Sequence, residues 1–416
     1  MRASAAQLRQ VRKEATVSGS LLRRGTLGAG FLLPFARYRD TGTLAHNLFV
    51  PYNDDMAFTL NTYPITYRSR FLNGEWSGEY LEKPHKTPEE EAAMSEDERT
   101  KLQNSRNCYD DMPLVGYSTQ YGLACFEGLK AFPQKDGGLA IFRPDQNAAR
   151  FARSMIGLCM PPFPEKDFME SCIETVRRNA KLGFRLFYKD EWEKDSFMTA
   201  SSVYLRPFTM SEGGIGVNLS TEPYVFVINT PVSAYFSSGS FDAVVTDKIR
   251  ATPKGTGWIK ASSNYVISAL AKSEAIKAGY MECVYLDAVH RKYIEEGSSC
   301  NIFFYLKSGE LATPELSDTI LPGITRASII ELARDKGVKV NERKISIDEA
   351  LEETIECFVS GTAAGATPIT SLTYNGKKTL FNDGKTGEFT ADIRDTIKGI
   401  QYGKLPDTKG WLVKVV

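Results

Sequence analysis

Between residues 283 and 312 the chain passes through four short segments of strand-forming composition, 283–286, 292–296, 301–306 and 310–312, with only three to five residues between one and the next. Gaps of that length suit tight turns, whereas parallel neighbours need a crossover of a dozen residues or more. Strand-like pieces recur upstream at 67–80, which contains the hairpin signal Asn73-Gly74, and at 114–132, 202–207, 224–229 and 242–249. Helices are predicted over 145–158, between Pro144 and Pro161-Pro162, and over 165–182, ended by Gly183. Two more span 264–278, before Gly279, and 325–336, between Pro322-Gly323 and Gly337. Meanders with interspersed helices predict an α+β fold over a doubly wound parallel sheet. The absence of G-x-G-x-x-G after a strand and of G-x-x-x-x-G-K-[ST] agrees.

At 416 residues, 42% of them hydrophobic, the chain can fill more than one core, so two lobes are expected. The Pro-, Ser- and Gly-containing segment 230–241 is the predicted connection, with a smaller domain over 56–229 and a larger one over 242–416. Residues 1–55 form an extension, and its first 37 residues carry seven Arg or Lys against the single acid Glu14. An organelle presequence and a plain leader both fit that composition, so the expected location is the cytoplasm, or an organelle if the segment is a presequence. Residues 82–111, nearly all charged or polar, read as a solvated helical excursion.

Lys plus Arg equals Asp plus Glu at 51 each, leaving no net field to attract nucleic acid or an anionic membrane. The apolar run 28–34 is far shorter than the roughly 20 residues that span a bilayer. Seven cysteines form no C-x-x-C pair, which fits thiols filling space in a reducing compartment and predicts no metal site.

Four segments carry chemistry. Gly255-Thr256-Gly257-Trp258-Ile259-Lys260 ends a glycine-rich approach in a lysine just before a helix, a placement that suits an amine held to attack an aldehyde carbon. The acid pair Glu295-Glu296 ends a strand, where neighbours face opposite sides, so either one could meet a ring nitrogen. Residues 320–326 make a tight turn into a helix whose first N–H groups are free for a phosphate. Residues 360–365 make a second small-residue turn that an anion can approach closely. Each alone is an ordinary surface lysine, acid pair or turn; together they give two anion sites around one amine.

In this order and spacing the motifs resemble the branched-chain aminotransferases of the pyridoxal-phosphate (PLP) fold-type IV group, over residues 58–403. The matching segments are YGLACFEGLKAF (121–132), FRPDQNAARF (142–151), YLRP (204–207), PVSAYF (231–236), IRATPKGTGWIKASSNY (249–265), EEGSSCNIFF (295–304), TILPGITRASIIELA (319–333) and SGTAAG (360–365). The resemblance implies a D-amino-acid-aminotransferase-like fold of two α/β lobes with PLP at their interface, and residues 242–416 as the main cofactor-binding domain. It implies transfer of amino groups from leucine, isoleucine or valine to 2-oxoglutarate in a homodimer.

Carried onto this chain, the resemblance makes Lys260 the Schiff-base lysine and proton carrier, and Glu296 the partner of the pyridine nitrogen. It places Tyr265 at the phenolic oxygen. Arg143, Ile324, Thr325 and Thr362 would hold the phosphate, with Arg250 in the cofactor surroundings. Thr362 and Ala363 would meet the substrate carboxylate, Tyr121, Phe126 and Tyr204 would line the side-chain pocket, and Arg206 would receive a second carboxylate. Tyr121 is expected to reach the other subunit's site. Two departures stand out: Ser262-Ser263 replaces the family's Gly-Gly, and Ala364 and Thr367 occupy the places of a C-x-x-C pair, which predicts no thiol switch. A D-amino-acid aminotransferase, an aminodeoxychorismate lyase, a PLP carrier without turnover and a non-PLP phosphate-binding domain are the alternatives.

Overall fold

The computed structural model describes residues 61–233 and 242–416. The N-terminal extension and most of the predicted connection lie outside the described residues.

Six strands come first: β1 Ile65–Leu72, β2 Glu75–Glu82, β3 Leu129–Pro133, β4 Leu139–Phe142, β5 Ser202–Met210 and β6 Tyr224–Val232. Next come β7 Asp242–Val245, β8 Glu282–Leu286 and β9 Ile294–Gly297. A third group is β10 Asn301–Leu306, β11 Leu311–Thr313, β12 Val340–Glu342, β13 Thr354–Gly361 and β14 Gly365–Ile369. β15 Ser371–Tyr374 and β16 Lys377–Leu380 join the second group, and β17 Leu412–Lys414 returns to the first. The sheets have the orders β17-β4-β3-β5-β6-β1-β2, β16-β15-β7-β8-β9 and β12-β11-β10-β13-β14. The first is antiparallel throughout, while β7 pairs in parallel with both β8 and β15, and β11 with β12. The fold is α+β with two mixed sheets.

The helices are α1 Pro88–Ala92, α2 Glu96–Arg106, α3 Tyr117–Tyr121, α4 Pro144–Gly157, α5 Glu165–Lys181, α6 Asn264–Lys277, α7 Ile324–Asp335, α8 Ile347–Glu353 and α9 Glu388–Gln401. The charged excursion is the α1–α2 pair, and each of these begins with a capping box, Thr87 with Glu90 and Ser95 with Glu98. The pair is fastened inward by Arg106, whose buried guanidinium meets Glu91. Asn73 and Gly74 both take positive φ, 54° and 86°, as a two-residue hairpin turn with right-handed strand twist requires. The 114–132 segment departs from expectation. Only 129–133 is a strand, because α3 and three isolated bridges, at Gly116, Cys125 and Phe126, lie in the rest.

Period-two alternation decides what each strand delivers. On β5, Val203 and Leu205 enter a core with Phe151, Phe168 and Cys172 of α4 and α5, while Tyr204 and Arg206 face a cavity on the other side. On the third sheet, Phe303 and Phe358 stack at 4.9 Å and 8° beneath Ile329 of α7 and Ile393 of α9. Ile302, Phe304 and Val359 point the other way, against Val284, Ile294 and Leu372 of the second sheet. Five cysteines fill buried space; Cys108 and Cys159 are exposed.

Phe303 is fully buried in this stack. Phe303→Ala should lower stability by about 3–5 kcal/mol, read as a fall in the urea midpoint. A loss under about 1 kcal/mol would mean that the stack does not hold the third sheet to its helices.

Candidate active site

The cavity faced by β5 has a volume of about 570 Å³ and gathers side chains from all three sheets and from the N-termini of α6 and α7. Lys260 reaches it from a backbone that is itself pinned. Ala261 bridges to Cys125, Phe126 N–H donates to the Lys260 carbonyl at 3.1 Å, and Ser262 N–H donates to Ala124 at 2.8 Å. Gly257 allows the approach, since a Cβ there would fall 2.7 Å from the Thr319 Cα. At the tip, Lys260 Nζ donates to the Tyr265 hydroxyl at 2.8 Å and lies 4.8 Å from the Phe126 ring centre. The five-residue spacing from Lys260 places Tyr265 in the first turn of α6, facing back to the amine.

The ambiguity between Glu295 and Glu296 resolves by strand alternation. Glu296 lines this cavity, whereas Glu295 faces a separate 190 Å³ pocket and accepts from the Thr319 hydroxyl. Glu296 accepts Arg250 Nε at 2.7 Å and Asn301 Nδ2 at 3.1 Å. Burial nonetheless pushes its carboxyl up to about 7, so desolvation outweighs the arginine beside it. Arg250 is also tied to the Thr319 carbonyl at 2.7 Å, which keeps its guanidinium in the wall.

An anion cradle forms across the cavity floor. Gly323 caps α7 without a side chain, leaving the first amides of the helix, at Ile324 and Thr325, unclaimed by a cap. Gly323 leaves room for the Asn301 side chain, because a Cβ would lie 1.9 Å from Asn301 Oδ1. Thr362 and Ala363 line the facing turn, and the Thr362 hydroxyl donates to the Gly128 carbonyl at 3.0 Å. The cation beside this cradle is Arg150, unmarked in the sequence reading. It lines the cavity and donates to the Pro322 carbonyl at 3.0 Å, next to the helix start.

Arg150 is clamped by Glu127, through Nε at 2.7 Å and Nη2 at 2.8 Å, and Asn147 donates to the same carboxylate at 2.7 Å. Burial would raise the Glu127 carboxyl, but the guanidinium outweighs it and holds the carboxyl below its ordinary range. Arg143, expected to hold phosphate, does not line the cavity. Pro144 starts α4 and leaves Arg143 at the N-cap with φ 47°, from where its guanidinium bonds Ser328 and Glu331 on the flank of α7 and lies over Trp411. Arg150, on the buried face of α4 with Phe151 and Ser154, carries the signal that was available: an arginine at a core position of an amphipathic helix.

Phe126, Tyr204 and Arg206 line the other end. Arg206 donates to the Tyr204 hydroxyl at 2.7 Å and lies 4.5 Å from the Phe126 ring centre. Ser262 lines the cavity as well. Tyr121 does not: it is exposed, and its hydroxyl accepts from Gly216 N–H at 3.1 Å. Thr367 closes the 360–365 turn by donating to the Ala364 carbonyl at 2.6 Å.

The sequence pattern of the family described as amino-transferase class IV matches residues 124–372, which contain every residue that lines this cavity. The chain belongs to the class IV aminotransferases. Among similar proteins, the branched-chain-amino-acid aminotransferase of Mycolicibacterium smegmatis is 40% identical over 307 residues, covering 71% of this chain and 80% of the relative. The branched-chain amino acid aminotransferase of Escherichia coli superposes with a TM-score of 0.65 at 27% identity, covering 85% of this chain and 100% of the other. That of Thermobaculum terrenum, in its PLP form, gives 0.63 at 26% identity, with 86% and 99% covered.

For this aminotransferase the raised Glu296 carboxyl has a measurable consequence. A carboxyl lifted from 4.5 to about 7 in the fold stabilises it fully below the unfolded value, and the contribution is lost as pH rises through 7. Without cofactor, the wild type should therefore lose up to roughly 3 kcal/mol between pH 5 and 8 relative to Glu296→Gln. Urea midpoints measured across that range test this, and parallel curves would mean that Glu296 titrates normally.

Proposed function

We propose that the protein is a PLP-dependent aminotransferase that moves the amino group of leucine, isoleucine or valine to 2-oxoglutarate, giving branched-chain 2-oxo acids and glutamate. The observation that carries this is a lysine amine, a buried carboxylate and an anion cradle sharing one cavity with an apolar pocket that contains an arginine. These donors fit the cofactor: the amine matches an aldehyde, Glu296 a ring nitrogen, and the α7 amides with Thr362 and Arg150 a phosphate. PLP, when bound, supplies the aldehyde and an aromatic ring able to accept the electron pair released at the substrate's α-carbon.

The protein's own groups do the rest. Lys260 Nζ would hold the cofactor and, as a free amine, would take and return the substrate's α-proton. The Tyr265 hydroxyl, 2.8 Å from Nζ, keeps that amine at the cavity wall. Glu296, fixed by Arg250 and Asn301, would accept a hydrogen bond from a protonated ring nitrogen, whose charge would favour the ionised carboxylate that burial alone disfavours. The 362–363 turn presents backbone amides to the substrate's carboxylate. Phe126 and Tyr204 give the side chain an apolar surface, and Arg206 pairs with the second carboxylate of glutamate or 2-oxoglutarate.

An amino-acid panel with PLP, read by bleaching of the cofactor band and by glutamate formation, tests this reading. Branched-chain L-amino acids should react and D-amino acids should not. Lys260→Ala should abolish transfer, and normal turnover in that variant would end the proposal. Arg206→Met should raise KM for 2-oxoglutarate by about 10–100-fold, as loss of a charged hydrogen bond implies, with a much smaller effect for leucine. A bound cofactor that never bleaches would favour a carrier.

A homodimer fits the outer surface. Leu114, Ile215 and Val217 are 86%, 81% and 91% exposed. Gly214 N–H donates to Val115 and Gly116 bridges to Gly213, so these side chains share one patch around Tyr121. A second copy on this patch would carry Tyr121 toward its partner's cavity. Light scattering should give twice the 46.3 kDa chain mass for the wild type and a shift toward monomer, with lost activity, for Val217→Asp. A monomeric, active wild type would rule the dimer out.

A further inference from the structure

We propose that the 190 Å³ pocket facing Glu295 is a second amino-acid site, one that takes a small apolar L-amino acid without reacting with it. The starting point is an oxygen with no partner. Glu295 is only 7% exposed; its Oε1 accepts from the Thr319 hydroxyl at 2.5 Å, and its Oε2 is buried with no hydrogen bond among the described residues. Leaving such an oxygen unmatched is costly, and native structures rarely do so without a use for it. Burial raises the Glu295 carboxyl against the pull of that hydroxyl, as expected of an acid that has lost water and gained one partner.

The rest of the wall indicates what would complete it. Two neighbouring acids are already engaged by the backbone: Asp287 accepts from the N–H groups of His290, Lys292 and Tyr293, and Asp318 Oδ2 from that of Lys254. Pro253, Ile294, Pro314 and Ile320 give the pocket apolar surface. Lys344, exposed at the rim, holds its Nζ 5.6 Å from the Tyr293 ring centre and pairs with no carboxylate among the described residues. A buried acid, an apolar wall and an unpaired ammonium match the three parts of one zwitterion, its ammonium, side chain and carboxylate. The volume lies below the roughly 300–1,000 Å³ of drug-sized sites and suits a molecule the size of valine.

The pocket backs onto the catalytic cavity without opening into the same set of side chains. The Thr319 carbonyl accepts from Arg250 Nη1 at 2.7 Å, and Arg250 Nε pairs with Glu296 at 2.7 Å. The Asp318 carbonyl accepts from Trp258 N–H at 3.1 Å, inside the segment that ends in Lys260, and Gly257 packs on Thr319. An occupant would therefore brace 318–319, the residues on which Arg250 and the Lys260 segment both rest. From there an amino acid can act on the cavity without entering it.

The test irradiates the PLP-loaded enzyme with a diazirine analogue of leucine, in the absence of any 2-oxo acid, and maps the label by mass spectrometry. Label on residues 287–290 or 314–318, displaced by L-valine, supports the assignment. The probe concentration for half-maximal labelling there should rise about tenfold in Glu295→Gln and in Lys344→Met, as loss of a charged hydrogen bond implies. Lys344 is exposed, so the second variant keeps the test sound if the first fails to fold. Label confined to cavity residues, or unchanged labelling in Lys344→Met, overturns the proposal. Displacement by isobutylamine or by isovalerate as readily as by valine also overturns it, because either would mean that only one end of the zwitterion is recognised. The label is read outside the catalytic cavity, so this outcome is separate from whether the proposed transfer reaction is right.

Discussion

Phe126 donates its backbone N–H to the carbonyl of Lys260, and Ser262 donates to that of Ala124. Through these two hydrogen bonds, the segment that carries the reactive amine becomes a partner of the segment leading into β3. Much of what surrounds the amine is set by that join. Phe126 comes to lie beside the Lys260 side chain, and Glu127, the next residue, clamps Arg150 next to the start of α7. A lysine on a free loop would sample many positions; here its Cα is fixed by backbone hydrogen bonds on either side, which is what a geometrically demanding proton transfer needs.

Much of this was legible in the sequence because strands sort residues by parity. The adjacent acids Glu295 and Glu296 had to face opposite sides, and the separation of Tyr204 and Arg206 from Val203 and Leu205 follows the same rule. Turn chemistry was equally readable. Gly323 and the 360–365 turn sit at the cavity because glycine and small residues permit close approach, and the helix that follows Gly323 presents free amides. Boundaries were less secure where composition was apolar but turns intervened, as in 114–132, where a run of aromatic residues suggested strand and α3 formed instead.

Pairings between distant segments were not legible. Arg143 and Arg150 both lie in a motif that begins a helix, and the one local sign of which points inward is the helical spacing that puts Arg150 with Phe151 and Ser154 on the buried face. The choice is made by Glu127 and by the Pro322 carbonyl, 23 and 172 residues away from Arg150. Lys130 likewise looks like a surface lysine until the strands on either side of β3 bury it. Electrostatic partners come from tertiary packing, and a single sequence holds that information only diffusely.

The first sheet is finished by the last strand of the chain. β17 pairs with β4 through Leu412↔Phe142 and Lys414↔Ala140, and Val415 N–H donates to Leu139. Until that segment leaves the ribosome, one side of β4 is an open row of peptide groups able to pair with any neighbouring extended chain. Contacts spanning so much sequence are slow to form, and intermediates with unpaired edges are prone to association. Completion of this lobe thereby waits on a segment far downstream of β4, and loss of residues 412–416 would leave every cavity residue in place beside an unsealed, adhesive border.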